Sequence, residues 1–316
     1  MIFFLRGLAV SLAFYVIAYG IVSVAVFLGW RVARSGTEFF PAASRADLLF
    51  VLRVLPVVVA GLFTFAFVIP SFLDFEPHTS GEIVGRIPLE LGGLGLLVLS
   101  AGAFNAIAAY LKTLEAVNGW LDGATFVSSC SSVPVFRILP VMPALTLAGI
   151  RSPKMLLSEA AATILTPSEL GAALQHEIAH VRRRDNLKKL LFRFCAFPGM
   201  SRLEAAWREA EEMAADDAAV RSAQDALDLA SALIKLSRLA PVQPGAALTT
   251  SLQSMATSVN GRVQRLLCWS EESKSSPPSR APWYLGGAVL GLFLTALASY
   301  WTILRDMHAL TEWMVR

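Results

Sequence analysis

Charged residues are absent from four long stretches of this chain. Residues 7–30, 54–73, 91–111 and 281–304 contain no Asp, Glu, Lys or Arg. A helix rises about 1.5 Å per residue, so each run is long enough to cross a bilayer core of about 30 Å. The pattern predicts spans at about 7–30, 54–73, 91–111 and 283–304. Between the third and fourth spans lies a segment of mixed charge. That segment, 112–270, is expected to be the one soluble domain. Ser and Pro crowd 271–282, which reads as a linker into the fourth span, leaving 305–316 as a short tail.

Composition agrees with a polytopic α-helical membrane protein. Of 316 residues, 55% are hydrophobic and 16% charged, and the mean hydropathy is +0.57. The first apolar run is longer than the core of a secretory signal and lacks a small-residue cleavage site, so a retained anchor is expected. Arg31, Arg34, Arg45 and Arg53 follow the first span, whereas Arg86 stands alone after the second beside Asp74, Glu76 and Glu82. Basic loops stay on the cytoplasmic side. The N-terminus is therefore expected outside, the 112–270 domain in the cytoplasm, and the chain in a bacterial inner or plasma membrane. The segment from Lys112 to Arg280 has 19 Lys and Arg against 16 Asp and Glu. This mild excess suits contact with anionic lipid and gives no nucleic-acid stripe. Cys130, Cys195 and Cys268 match no zinc knuckle and no C-x-x-C, and are expected to be free thiols.

The chemistry sits at His176-Glu177-Ile178-Ala179-His180. Thr166, Pro167 and Glu169 form a capping-box start for a helix that should run past His180. Residues four apart share a helix face, so both imidazoles can meet one metal ion at about 2.0–2.1 Å. Glu177, one position round, can reach an attacking water without becoming a ligand. A catalytic zinc site needs a third protein ligand. Downstream, Ser201 and Glu204 look like a second capping box opening an acidic helix. Glu212 and Asp216 share a face there, and if Glu212 ligates, Asp216 can accept the remote N–H of a ligating histidine. Glu209 and Glu211 compete with Glu212, and periodicity does not choose among the three.

His176-Glu-Ile-Ala-His180-Val-Arg-Arg-Arg-Asp185, followed by Glu212-Met-Ala-Ala-Asp216, resembles the BlaR/MecR family of membrane metallopeptidases. Pro143–Ile150 and Pro153–Ser158 look like the family's two short strands before the metal helix, and 226–239 and 261–267 like its closing helices. The resemblance implies a mainly helical α+β zincin domain between the third and fourth spans, holding one Zn2+ per chain. It implies His176, His180 and Glu212 as ligands, Glu177 as the base that activates water, and Asp216 behind the ligands. It also implies a protein or peptide substrate, such as a transcriptional repressor or signalling factor. The family's β-lactam receptors carry an extracellular penicillin-binding domain after the last span. Only Arg305–Arg316 follow here, so β-lactam sensing by this chain is not expected, and a separate sensor protein is a candidate partner. The alternatives are an HtpX-like quality-control protease and a non-catalytic membrane receptor or scaffold that keeps the metal site.

Other features have structural readings beside functional ones. Residues 186–197 mix Lys188, Lys189 and Arg193 with leucines and phenylalanines, which suits either a bilayer-facing surface or a core face. The zincin resemblance implies that residues 146–150, as a free edge strand beside the metal helix, would offer pairing to an extended substrate. His78 and His308 lie outside the expected domain.

Overall fold

The computed structural model describes residues 2–76, 85–139, 144–195, 197–239, 249–251, 256–269, 295 and 298–315. In chain order its helices and strands begin with α1 (Ile2–Ala33), α2 (Ala42–Phe63), α3 (Ile69–Phe75) and α4 (Arg86–Leu121). Strands β1 (Thr125–Cys130), β2 (Val133–Ile138), β3 (Leu145–Ala148) and β4 (Lys154–Ser158) follow. Helices α5 (Glu159–Ile164), α6 (Pro167–Arg183), α7 (Asp185–Phe194), α8 (Ser201–Ala219) and α9 (Ala223–Leu239) come next. The described elements close with β5 (Thr249–Ser251), α10 (Ala256–Leu267) and α11 (Tyr300–Val315). They fall into two compact units, one of Met1–Val32, Val54–Ala101 and Ser276–Arg316, the other of Ala33–Arg53 and Gly102–Ser275.

Three helices are long and apolar enough to cross a membrane: Phe3–Ala33, Ala42–Phe75 and Arg86–Leu121. By length and composition they are the helices of a membrane protein. Their outward surfaces are apolar, with Phe4, Ile21, Leu62, Phe65, Leu97 and Phe104 all more than half exposed. Such a surface suits lipid rather than water. Small residues let backbones meet inside this unit. A β-carbon on Gly92 would lie 2.7 Å from the Ala9 carbonyl oxygen, and one on Gly95 2.5 Å from that of Leu12. The second span carries a π-turn at Thr64–Val68 just before Pro70. Pro70 has no N–H for the carbonyl of Ala66, and the Tyr300 hydroxyl donates to that oxygen at 3.1 Å. The expected linker, His78 and most of the fourth span lie outside the described residues. Helix α11 runs through the boundary expected at 304, so residues 305–315 are helical.

The second unit is built on a five-stranded mixed sheet in the order β1-β2-β4-β3-β5. Strands β3 and β4 lie where the two short strands were expected and pair as an antiparallel hairpin, with Leu145 opposite Leu157 and Ala148 opposite Lys154. Gly149 turns it at φ 95°, and a β-carbon there would lie 2.7 Å from the Ser152 carbonyl oxygen. The expected free edge at 146–150 is not present: β5 pairs antiparallel with β3, with Leu147 opposite Thr250. Those backbone groups are already satisfied by the chain itself, so the expectation that a substrate strand adds there is withdrawn. Helices α5, α6 and α9 pack on the sheet through Ala161, Ala173, Ile178, Leu229 and Leu233.

Glu169 ties α6 to α9. Its carboxylate accepts from Thr166 N at 2.8 Å, Ser231 Oγ at 2.5 Å and Lys235 Nζ at 2.7 Å. Burial resists its ionisation, but these donors outweigh burial and bring its pKa from 4.5 down to about 2. A depressed carboxylate pKa stabilises the fold above its unfolded value, and that stabilisation fades as the pH falls from about 4.5 towards 2. Glu169→Gln in the full chain is therefore expected to shrink the drop in thermal midpoint between roughly pH 6 and pH 3. An unchanged acid limb would show that other groups control it.

Candidate metal centre

Helix α6 starts as its sequence dictates. Thr166 Oγ1 accepts from Glu169 N while Glu169 returns a bond to Thr166 N, and Pro167 fills the first helical position. One face of the helix then turns inward, burying Ala173, His176, Glu177 and His180. The helix ends at Arg184, which is left-handed at φ 55° and ψ 39°. That reversal starts α7 and swings Asp185 back beneath His180. Helix α8 starts differently from expectation: Met200 is its N-cap, with no side-chain cap bond. Glu204 is instead ion-paired with Arg208 one turn on, so the expected Ser201–Glu204 capping box does not form.

His176, His180 and Glu212 come together. One ligand atom from each lies within 4.8 Å of the others, and all three residues are buried. The two Nε2 atoms are 3.2 Å apart. Glu212 Oε2 is 3.5 Å from His176 Nε2, and Glu212 Oε1 is 3.9 Å from His180 Nε2. Tetrahedral ligands at about 2.1 Å from a zinc ion lie roughly 3.4 Å from one another. The observed spacings bracket that value, and a donor set of two nitrogens and one oxygen suits a borderline divalent ion. The three residues therefore fit a metal ion.

The neighbouring acids of α8 point elsewhere. Glu209 is half exposed and lies 3.9 Å from Arg45. Glu211 is buried against Lys189 Nζ at 2.9 Å. Burial pushes the Glu211 carboxyl up to about 8; Lys189 opposes the shift, while Asp185 and Glu212 add to it. The docking of α8 on α6 thus leaves Glu212 as the acid that meets both histidines.

Each histidine has its own carboxylate on the side away from the cluster. Asp216 Oδ1 lies 3.0 Å from His176 Nδ1, an ion-pair contact without hydrogen-bond geometry at that nitrogen. Asp185 Oδ2 lies 2.8 Å from His180 Nδ1, a partner that spacing had not assigned. A histidine that donates Nδ1–H to a carboxylate keeps a lone pair on Nε2 for a metal. Burial lowers the His180 pKa despite Asp185, which favours the neutral ring. For His176, burial also works downward, but Asp216 and Glu212 prevail and raise it to about 9.

Arg262, from α10, is the residue that sequence reasoning missed. It is 2% exposed. Its Nη1 donates to Glu212 Oε2 at 2.8 Å, while Nε and Nη2 donate to the two oxygens of Asp216 at 2.8 and 2.7 Å. Burial resists ionisation of Asp216, yet Arg262 and His176 hold its pKa at about 2. A signal was present in the sequence. Arg262 stands in register with Val259, Val263 and Leu266 on the inward face of α10, where a lone arginine needs a buried acid.

Residues of α7 belong to the domain core. Phe192 is buried and meets Trp207 edge-on, with ring centroids 4.7 Å apart. Phe50 and the Arg53 guanidinium cover its other sides at 5.8 and 5.7 Å. Within 186–197, Asn186, Phe192 and Cys195 are buried, so part of the segment is a core face. Arg183 also has a structural partner, donating to Asp47 at 3.0 Å. Cys130, Cys195 and Cys268 are free thiols. Compared with known proteins, the chain matches no family model and no curated protein.

Proposed function

We propose that this chain is a membrane zinc endopeptidase of the BlaR/MecR type, cleaving a cytoplasmic or membrane-associated protein in regulatory proteolysis. The observation that carries the reading is the buried His176–His180–Glu212 cluster with Glu177 on the same helix and a carboxylate behind each histidine. Burying His176, Glu177, His180, Asp185, Glu212, Asp216 and Arg262 together is costly. A structural core has no use for such a concentration of charge, whereas a hydrolytic metal site needs it.

A zinc ion held by His176, His180 and Glu212 would supply Lewis-acid chemistry, polarising a peptide carbonyl and making water nucleophilic near neutral pH. The remaining work belongs to the protein. Glu177 takes a proton from the attacking water onto its carboxylate and hands it to the departing amine. Asp185 and Asp216 keep the imidazoles oriented with Nε2 inward. Arg262 fixes the Glu212 and Asp216 carboxylates through a planar fork that a lysine does not reproduce. In this reading the N-terminus lies outside, the metal centre faces the cytoplasm, and the substrate is a repressor or signalling factor.

The test is metal content together with hydrolysis. The full chain purified in detergent is expected to hold about one zinc ion per molecule. It should cleave a casein-type or peptide-library substrate, lose that activity on chelation and regain it with added zinc. Protein that takes up no divalent metal, or hydrolysis indifferent to chelation, would overturn the reading.

A further inference from the structure

We propose that the cavity beside His180 is a substrate subsite for a side chain bearing a carboxylate, an assignment that rests on the peptidase reading above. The cavity has a volume of about 450 Å³ and lies between the β3–β4 turn and the α6–α7 junction. That volume falls in the range of pockets that hold small ligands or single substrate residues. His180 forms part of its wall, so an occupant lies next to a member of the metal cluster.

Two guanidinium groups line it, Arg151 from the β3–β4 turn and Arg184 from the end of α6. Both residues are exposed, and neither has an acid partner among the described residues. Their neighbour Arg183 is different, because Asp47 holds it at 3.0 Å. Asp185, the one acid in the lining, is already committed. Its Oδ2 meets His180 Nδ1 at 2.8 Å, and its Oδ1, which makes no hydrogen bond among the described residues, is ion-paired with Lys188 Nζ at 3.4 Å and Arg183 Nε at 3.9 Å. Arg184 also adopts φ 55°, a conformation that glycine or asparagine would take at lower cost. An arginine at that position brings a charge to the cavity that the turn itself does not require.

A second observation points to a peptide. Asn186 lines the cavity and is 4% exposed. Its Nδ2 donates to the Gly149 carbonyl at 3.0 Å, with the Leu147 carbonyl at 3.5 Å. Those two acceptors identify the nitrogen end of the amide, which leaves Oδ1 buried with no hydrogen-bond partner among the described residues. A buried acceptor in that state calls for a donor. A substrate backbone or side-chain N–H supplies one, while the two arginines receive the carboxylate. Leu147, Ile150 and Val181 provide the apolar wall against which the stem of an acidic side chain packs.

The test uses the full zinc-loaded chain in detergent and fluorescein-labelled decapeptides of alanine and leucine. A single Asp, Asn or Lys is stepped along the peptide; binding is read by fluorescence polarisation and hydrolysis separately by mass spectrometry. At one register the Asp peptide is expected to bind roughly tenfold more tightly than its Asn counterpart, with Lys weakest. Arg184→Gly and Arg151→Gln are each expected to bring the Asp-to-Asn ratio close to one. Glycine suits the left-handed backbone at 184, so that variant is expected to keep the fold and zinc stoichiometry of the parent. Equal or undetectable binding of Asp and Asn peptides at every register, or a preference that survives both substitutions, overturns the subsite. Hydrolysis without an Asp preference also overturns the subsite and leaves the peptidase reading intact. Asp-selective binding without any hydrolysis supports the subsite and counts against the peptidase reading instead.

Discussion

Glu177→Gln is expected to slow peptide-bond cleavage by about a thousandfold while zinc stays at one per chain. Glutamine keeps the size of the side chain and its ability to hydrogen-bond, so the buried position on α6 stays filled. It cannot accept a proton at neutral pH, and that is the property the proposed mechanism requires. The metal should be unaffected, because the ligand cluster consists of His176, His180 and Glu212 and does not include Glu177. Elemental analysis and hydrolysis measured on the same preparation check both halves. Undiminished cleavage removes Glu177 from the mechanism. Loss of zinc together with activity would instead make Glu177 part of the metal's support.

Arg262→Met is expected to destabilise the metal-free chain by about 3–5 kcal/mol, the usual cost of removing one partner from a buried ion cluster. Methionine keeps much of the volume and deletes the charge. Glu212 and Asp216 then face each other and His176 without the guanidinium that neutralises them. Saturating zinc should recover part of the loss, because a bound dication supplies positive charge to Glu212. Arg262→Lys should recover less than the parent arginine, since an ammonium cannot donate in a fork to Asp216 while also reaching Glu212. Denaturant unfolding of the full chain with and without zinc measures both effects. A methionine variant as stable as the parent without metal would show that the triad contributes nothing net.

Much of this architecture was legible from local pattern. Apolar runs of membrane length became the three long apolar helices, because a helix in lipid must be apolar over its own contiguous residues. The capping box at Thr166 and Glu169 formed as spaced, and the β3–β4 hairpin lies where the strand pair was expected. Ser201 and Glu204 had the same spacing, yet the chain enters α8 through Met200 and Glu204 pairs with Arg208. A cap depends on the backbone path into the helix as well as on residue types. The β1–β2 hairpin was not anticipated: its first strand is exposed along nearly its whole length, and Pro134 interrupts the second.

The sequence by itself determined that His176 and His180 lie on one face of a helix, with Glu177 one position round. That follows from the 3.6-residue turn and needs nothing beyond the helix itself. Tertiary structure alone decided the rest of the centre. Glu209, Glu211 and Glu212 are all helical acids within one turn, and only the docking of α8 against α6 brings Glu212 to the histidines. Asp185 reaches His180 because the backbone reverses at Arg184. Arg262 reaches Glu212 and Asp216 from a helix about fifty residues downstream. The edge of β3 was lost to β5 from farther still, Thr146 pairing with Ser251. Periodicity records which residues share a face of their own element, whereas the partner of that face is fixed by packing between elements distant in sequence.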